Sequence, residues 1–282
     1  MHVVYQKREI QQKVALLKKE QQTIGFVPTM GALHQGHMAL VARALKENDF
    51  VIVSVFVNPT QFNNPEDLRK YPRSLEEDVA LLNKLSNEII VFAPEPNELY
   101  GSAIVAKIYD FEGLELEMEG KHRPGHFDGV GTVLKHFFTI VDPTNAYFGE
   151  KDFQQLQIVR KMVEIEQMTV KIVGCPIYRE ENGLALSSRN KRLTTEQKEA
   201  APLIYKTLSQ ALRDFGTKSV IEIKENVFSA IEATPLLELE YFEIVDAKTL
   251  NIATTKETDI KYRAFIAVYA GEVRLIDNIA LN

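Results

Sequence analysis

His34-Gln35-Gly36-His37 sets two imidazoles three residues apart, directly behind Pro28-Thr29-Met30-Gly31. Thr23 to Val27 is a short apolar run of strand character that should stop at Pro28. From His37 through Met38, Leu40, Val41, Ala44 and Leu45 the apolar spacing is helical. The segment therefore reads as strand, tight loop and helix. Gly31 and Gly36 let a ligand approach the main chain, and the free N–H groups and positive dipole end of the helix favour phosphate. Two imidazoles at that helix start face the same anion and can donate hydrogen bonds to charge building on phosphate oxygens. A zinc site is the competing chemistry, but His-x-x-His lacks the Glu and the i,i+4 spacing of the metalloprotease helix, and no third ligand with a recognisable spacing follows. No protein-held metal is expected.

Four further clusters carry usable chemistry. Asn58 and Gln61 are uncharged amides behind a buried run and suit a hydroxyl or carboxylate, although Asn58-Pro59 is also a turn signal. Gln155 offers a second amide to partner Gln61. Gly149-Glu150-Lys151-Asp152 repeats the strand-to-helix logic: Gly149 permits a turn, Lys151 brings a compact positive charge to a phosphate, and Asp152 suits a ribose hydroxyl or a helix cap. Ser187-Ser188-Arg189, after Gly183-Leu184-Ala185-Leu186, supplies two hydroxyl donors and a permanent cation for leaving phosphates. Arg123, His126 and the segment to Val130 could line a pocket mouth or meet a carboxylate, but Pro124-Gly125 is equally what a loop needs. Ser74 and Glu77 have capping-box spacing, which makes Glu77 and Asp78 helix-start residues.

The elements that must position these groups alternate in the first half. Ile10, Val14 and Leu17 repeat at helical spacing, and Phe50 to Val57 is apolar enough for a central parallel strand. A helix follows from Ser74 and a strand near Ile89 to Phe92. Such alternation implies a parallel sheet with crossover helices, where ligands bind beyond the carboxyl ends of the strands. Pro28, Asn58 and Gly149 each follow a strand-like run, so the separated clusters converge. The second half differs. A long helix is expected from Thr194 or Thr195 to about Phe215 and another from Ser219 to Ile231. Strands are expected at Tyr241 to Val245 and Ala264 to Tyr269, the latter turning at Ala270-Gly271-Glu272 into Val273 to Ile276. A boundary near Gly174 to Pro176 divides the chain into residues 1–175 and 176–282, with no low-complexity linker and no internal repeat, so the two parts should touch closely.

Composition bounds the function. The 282 residues are 45% hydrophobic and 26% charged, enough for one large or two modest cores. A net charge of -6 argues against a general nucleic-acid binder. The single cysteine, Cys175, excludes an internal disulfide framework. No apolar run approaches the roughly 20 residues needed to span a bilayer, and the start of the sequence has no secretory apolar region. A cytoplasmic enzyme is expected.

The Pro28 to His37 stretch resembles the His-x-Gly-His signature of nucleotidyltransferases and adenylate-forming synthetases, a superfamily that includes class I aminoacyl-tRNA synthetases. Further matches narrow it. Phe56 to Phe62, Tyr71-Pro72-Arg73, Arg123 to Phe127, Tyr147 to Gln155 and Gly183 to Asn190 resemble the pantothenate synthetase family, in the same order and with family-like spacing to about Leu193. The resemblance implies a Rossmann-like α/β domain binding nucleotide and pantoate, a smaller α+β lid domain at the C-terminus, and a homodimer formed through the first domain. It implies ATP-dependent condensation of (R)-pantoate with β-alanine through pantoyl adenylate, with ATP entering together with Mg2+. Carried over residue by residue, His34, His37, Lys151 and Arg189 are catalytic. Met30, Gly31, Ala32, Leu33, His34, Gln35, Gly36, His37, Gly149, Glu150, Lys151, Asp152, Tyr178, Leu186, Ser187, Ser188 and Arg189 meet ATP. Gln61 and Gln155 hold pantoate, Gln61 also lies near β-alanine, and the main chain near Ile177 borders the adenine. Asn63-Asn64-Pro65, Leu134 to Phe137 and Tyr178 depart from the family pattern and concern the pocket lining rather than the nucleotide chemistry. Two other functions share the His motif: a transferase that places a nucleotide on a stable acceptor, and a nucleotide-binding regulator.

Overall fold

The computed structural model describes residues 2–63 and 65–282; Asn64, one of the departures named above, lies outside them. Six parallel strands form the main sheet: β1 (His2–Val4), β2 (Ile24–Thr29), β3 (Phe50–Val55), β4 (Ile90–Phe92), β5 (Asn145–Gly149) and β6 (Lys171–Cys175), in the order β1-β4-β3-β2-β5-β6. The apolar runs of β2 and β3 lie at its centre, in register from Ile24↔Phe50 to Thr29↔Val55. The strand order reverses between β2 and β5, which opens a crevice at their carboxyl ends.

Pro28 lies inside β2 rather than ending it. On the β3 side the register continues through Pro28↔Ser54, but on the β5 side it stops at Phe26↔Ala146. A residue without an N–H is tolerated where the neighbouring strand has already diverged. Strand β1 was missed by periodicity, because three residues carry too little pattern; it is held at the sheet edge by pairing with β4.

Helices cover both faces. Lys7–Lys19 buries Ile10 and Val14, and Gln35–Glu47 buries Met38, Leu40, Val41 and Ala44, as their spacing requires. The most enclosed is His126–Val141, which is apolar almost all round. Gly129 is what lets it seat: a Cβ there would come within 2.3 Å of the Thr60 carbonyl oxygen, so the turn Pro59–Gln61 lies directly on the helix backbone. In Leu75–Asn83 the expected capping box is not made. Ser74 caps no backbone N–H with its side chain, and its carbonyl accepts the Asp78 N–H at 2.9 Å.

The second half packs three helices on an antiparallel sheet of β7 (Glu238–Asp246), β8 (Tyr262–Ala270) and β9 (Val273–Ala280). The single long helix expected after Thr194 is two, Thr195–Ala200 and Leu203–Asp214, because Pro202 cannot donate into the preceding turn. Capping boxes start two helices of this half, Thr194 with Gln197 and Ser219 with Glu222. Gly271, at φ +59, turns β8 into β9. A core from Leu184 to Leu281 fills this half, while Val245, Leu250 and Phe265 pack into the core of the first half.

Candidate active site

A cavity of about 290 Å3 opens at the sheet reversal. Its floor is the ends of β2, β3 and β5, and its far wall comes from Tyr241, Phe265, Ile276 and Asp277 of the second sheet.

His34 is the N-cap of Gln35–Glu47, and the capping box is made by imidazoles. His34 Nδ1 accepts the Gly36 N–H at 3.2 Å, and His37 Nδ1 accepts the His34 N–H at 3.3 Å. Each Nδ1 is occupied as an acceptor, so the proton of each neutral ring sits on Nε2. The rings lie 4.0 Å apart, tilted by 31°. Burial, then the charges of Lys151 and Lys191, lower His34 to about 4. Burial, then His34 and Lys151, lower His37 to about 3. Two neutral N–H donors therefore sit together at a helix start.

The loop before them is held from outside. Asp78, 2% exposed, accepts the Ala32 N–H at 3.0 Å and the Leu33 N–H at 2.7 Å. It braces a turn in which Gly31 has φ +80 and Ala32 φ +51. Sequence reasoning assigned Asp78 to a helix start, yet Leu75, Asp78, Val79 and Leu82 share one helical stripe, and that spacing marks Asp78 as inward-facing.

Lys151 follows β5 in a 3-10 turn, Glu150–Asp152, with Asp152 Oδ1 3.9 Å from its Nζ. The turn is fixed by Asn278 of β9, whose Nδ2 donates to the carbonyl oxygens of Glu150 and Lys151 at 2.9 and 2.8 Å. Beside it Asp277 takes both guanidinium arms of Arg179, at 2.6 and 2.9 Å. Neither Asn278 nor Asp277 was singled out in the sequence. Two adjacent polar residues in an apolar strand, both buried, break the alternation, and that is the signal they leave. Ser187 caps the turn Ser188–Arg192 by accepting the Arg189 N–H at 3.3 Å.

Gln61 is buried with its amide orientation set by neighbours. Its Oε1 accepts from Asn58 Nδ2 at 3.0 Å, which leaves Nε2 as the donor facing Met30 Sδ at 3.1 Å and the cavity. Asn58 is oriented in turn by donating to Gly129 O at 3.1 Å and accepting from the Tyr100 hydroxyl at 2.5 Å. Tyr100, a further residue the sequence did not reveal, is pushed up to about 12 by burial and donates its proton firmly. His126 Nδ1 lies 2.9 Å from Gln61 O.

Of the residues singled out by sequence, the cavity wall brings together Met30, His34, Gly36, His37, Asn58, Gln61, Tyr71, Arg123, His126, Gly149, Lys151, Asp152, Gln155, Ile177, Tyr178, Leu186, Ser187, Ser188 and Arg189. Gly31, Ala32, Leu33, Gln35 and Glu150 lie off that wall. Glu150 instead pairs with Arg263 of β8 at 3.2 Å. Gln154, beside Gln155, is structural: it donates to Leu114 O and Glu117 O and accepts the Glu119 N–H. Of the departures, Tyr178, Leu134 and Phe137 stand on the wall, Lys135 pairs with Glu166, and Asn63 donates to Pro124 O. Cys175 is buried against Arg43, and burial raises its thiol, which suits packing rather than nucleophilic work.

The arrangement offers donors and cations for phosphates at one end and oriented amides at the other. The sequence model of the pantoate-beta-alanine ligase family matches residues 2–280. The chain belongs to that family. A pantothenate synthetase of Flavobacterium psychrophilum is 56% identical over 94% of each chain, and that of Christiangramia forsetii is 54% identical over the whole of both. The pantothenate synthetase structure from Thermus thermophilus superposes with a TM-score of 0.91 at 41% identity, covering 100% of this chain and 99% of that one. A pantoate-beta-alanine ligase from Francisella tularensis, solved with beta-gamma ATP and beta-alanine, gives 0.82 at 38% identity over 100% and 98%.

Proposed function

We infer that this ligase joins pantoate to β-alanine at the cavity described, forming pantothenate with consumption of ATP. Activity at this level follows from the family. The assignment of roles is our reading. It is carried by one observation, the paired Nε2 donors of His34 and His37 beside Lys151, in a cavity that Gln61 also lines.

In the first step a carboxylate oxygen of (R)-pantoate attacks the α-phosphorus of ATP, and the bond from that phosphorus to the bridging oxygen breaks. Diphosphate leaves with the electron pair. His34 and His37 donate to the α-phosphate oxygens, and Lys151 balances their charge. Ser187, Ser188 and Arg189 receive the departing diphosphate. Because the imidazoles are neutral in advance, they act as fixed hydrogen-bond donors and transfer no proton. Mg2+ accompanies ATP on its phosphates, where an ion that keeps its waters binds readily. Gln61 and Gln155 orient the hydroxy acid against Met30. In the second step the free amine of β-alanine attacks the acyl carbon of pantoyl adenylate, the acyl–oxygen bond breaks, AMP leaves, and the nitrogen sheds its proton.

This reading includes a hinged assembly. Residues 176–282, with their own core from Leu184 to Leu281, form the lid that carries Ser187 to Arg189. It also includes a homodimer through the first half, supported by the exposed apolar side chains of Ile104, Val105 and Ile108. A cytoplasmic site of action is kept as part of the reading, and among the described residues no helix is long and apolar enough to cross a membrane.

ATP–diphosphate exchange tests the chemistry. Exchange should depend on pantoate without amine, and AMP release should depend on β-alanine. His37→Ala and Lys151→Ala should each slow exchange by about 10² to 10³. Diphosphate release with a stable nucleotidylated acceptor, or binding without exchange, would instead support the transferase or the regulator.

A further inference from the structure

We propose that Arg123 is the carboxylate anchor of the amine substrate, the residue that selects β-alanine by its charged end; this rests on the reading above.

Arg123 lines the cavity between Glu119 and His126. Its one ionic partner among the described residues is Glu119, at 3.7 Å, too far for a hydrogen bond. Glu119 is already satisfied, with Arg274 bonding both oxygens at 2.7 and 2.9 Å and the Tyr241 hydroxyl donating at 2.9 Å. A guanidinium carries five N–H donors in a rigid fork. Here that fork faces a cavity with no side-chain hydrogen bond to another described residue, and only 30% of the side chain is exposed. A sheltered cation kept free of acceptors is built for a ligand's anion.

Position identifies which anion. Lys151 acts electrostatically on His34 and His37, which places it over the phosphate end. Arg123 is tied to the amide end by hydrogen bonds: its carbonyl accepts the His126 N–H at 3.0 Å, and His126 Nδ1 lies 2.9 Å from Gln61 O, while the charges of Arg189 and Asp152 reach it from the other side. Two carboxylates enter this reaction. That of pantoate is consumed at the α-phosphorus and belongs beside the histidines. That of β-alanine keeps its charge throughout and lies three bonds from the attacking nitrogen, so it needs a fixed partner set back from the acyl carbon. Arg123 is that partner. An amine without a carboxylate would leave the guanidinium shielded and unpaired, and an α-amino acid would bring its carboxylate one carbon short. Both are therefore rejected.

Steady-state kinetics of Arg123→Ala with β-alanine and with n-propylamine, beside pantoate-dependent ATP–diphosphate exchange, tests this. The β-alanine KM should rise by about 10- to 100-fold, while slow turnover of n-propylamine holds or rises and the exchange rate stays within a few-fold of the wild type. Arg123→Lys should recover part of the loss. An unchanged β-alanine KM, or an equal loss with n-propylamine or in exchange, overturns the proposal. Thermal unfolding checks the fold, and if Arg123→Ala does not fold, the same comparison is made with Arg123→Gln and Arg123→Lys. Failure of the wild type to exchange with pantoate would sink the functional reading itself, and is distinct from a wild type that exchanges while Arg123 proves irrelevant.

Discussion

Burial sets the protonation states of the histidines that line the cavity. A histidine whose folded value lies below its unfolded value takes up its proton on unfolding, so the stability it allows is complete above pH about 6.5 and falls as the pH drops toward the folded value. His34 and His126 at about 4, and His37 at about 3, all have this sign. Burial raises Glu119, but Arg274 and Arg123 outweigh it and hold the carboxyl near 2, so its contribution is lost only as the pH falls below its usual 4.5. Urea unfolding between pH 6.5 and 5 should show stability declining with acid. In His37→Asn the slope should fall by up to one proton, about 1.4 kcal/mol per pH unit. A flat profile would show that the rings are charged in the folded state.

At the scale of elements, the side chains to which roles are proposed stand on turns that another element holds. The His loop hangs from Asp78 of Leu75–Asn83, and the Lys151 turn from Asn278 of β9. Gln61 is set by Asn58 and rests its turn on Gly129. Asp78→Ala strands two backbone donors in a loop that already holds two residues at positive φ, so a destabilisation of about 2 to 4 kcal/mol is expected, since an unsatisfied buried donor costs roughly 1–3 kcal/mol. The KM for ATP should rise with it. Asp78→Asn, which keeps an acceptor oxygen, should restore part of both. Calorimetry with ATP titration checks the pair.

Over the whole molecule, the two halves are fastened by charges at the cavity rim. Arg274 of β9 bridges Glu119 of the first half and Glu240 of β7, and Arg263 of β8 reaches Glu150. Removing one member strands the others, so Arg274→Met should destabilise by about 3–5 kcal/mol. Replacing the partners together, as Glu119→Gln with Arg274→Met, should recover much of that. Chemical unfolding of the single and double variants measures the difference. A double variant as unstable as the single one would show that Arg274 acts through packing.

By itself the sequence determined the class of fold and marked the residues whose types suit a phosphate site. Apolar periodicity marked the central strands, and His34, His37, Gln61 and Lys151 stood out because their residue types follow strand-like runs beside turn signals, whereas Arg189 stood out by its place behind Gly183-Leu184-Ala185-Leu186. Local pattern errs where a single residue decides: apolar spacing runs straight through Pro202, which splits the helix expected after Thr194, and it ends β2 at Pro28, whose place inside the strand depends on where the neighbouring strand diverges. Only the tertiary structure assigned the supports. Asp78, Tyr100, Asn278 and Arg274 lie tens of residues or more from the groups they hold, and nothing in their own segments names a partner. Tertiary structure also separated Arg123 from the other cations, since every Arg carries the same charge in a sequence and only packing shows whether its acceptors have already been taken.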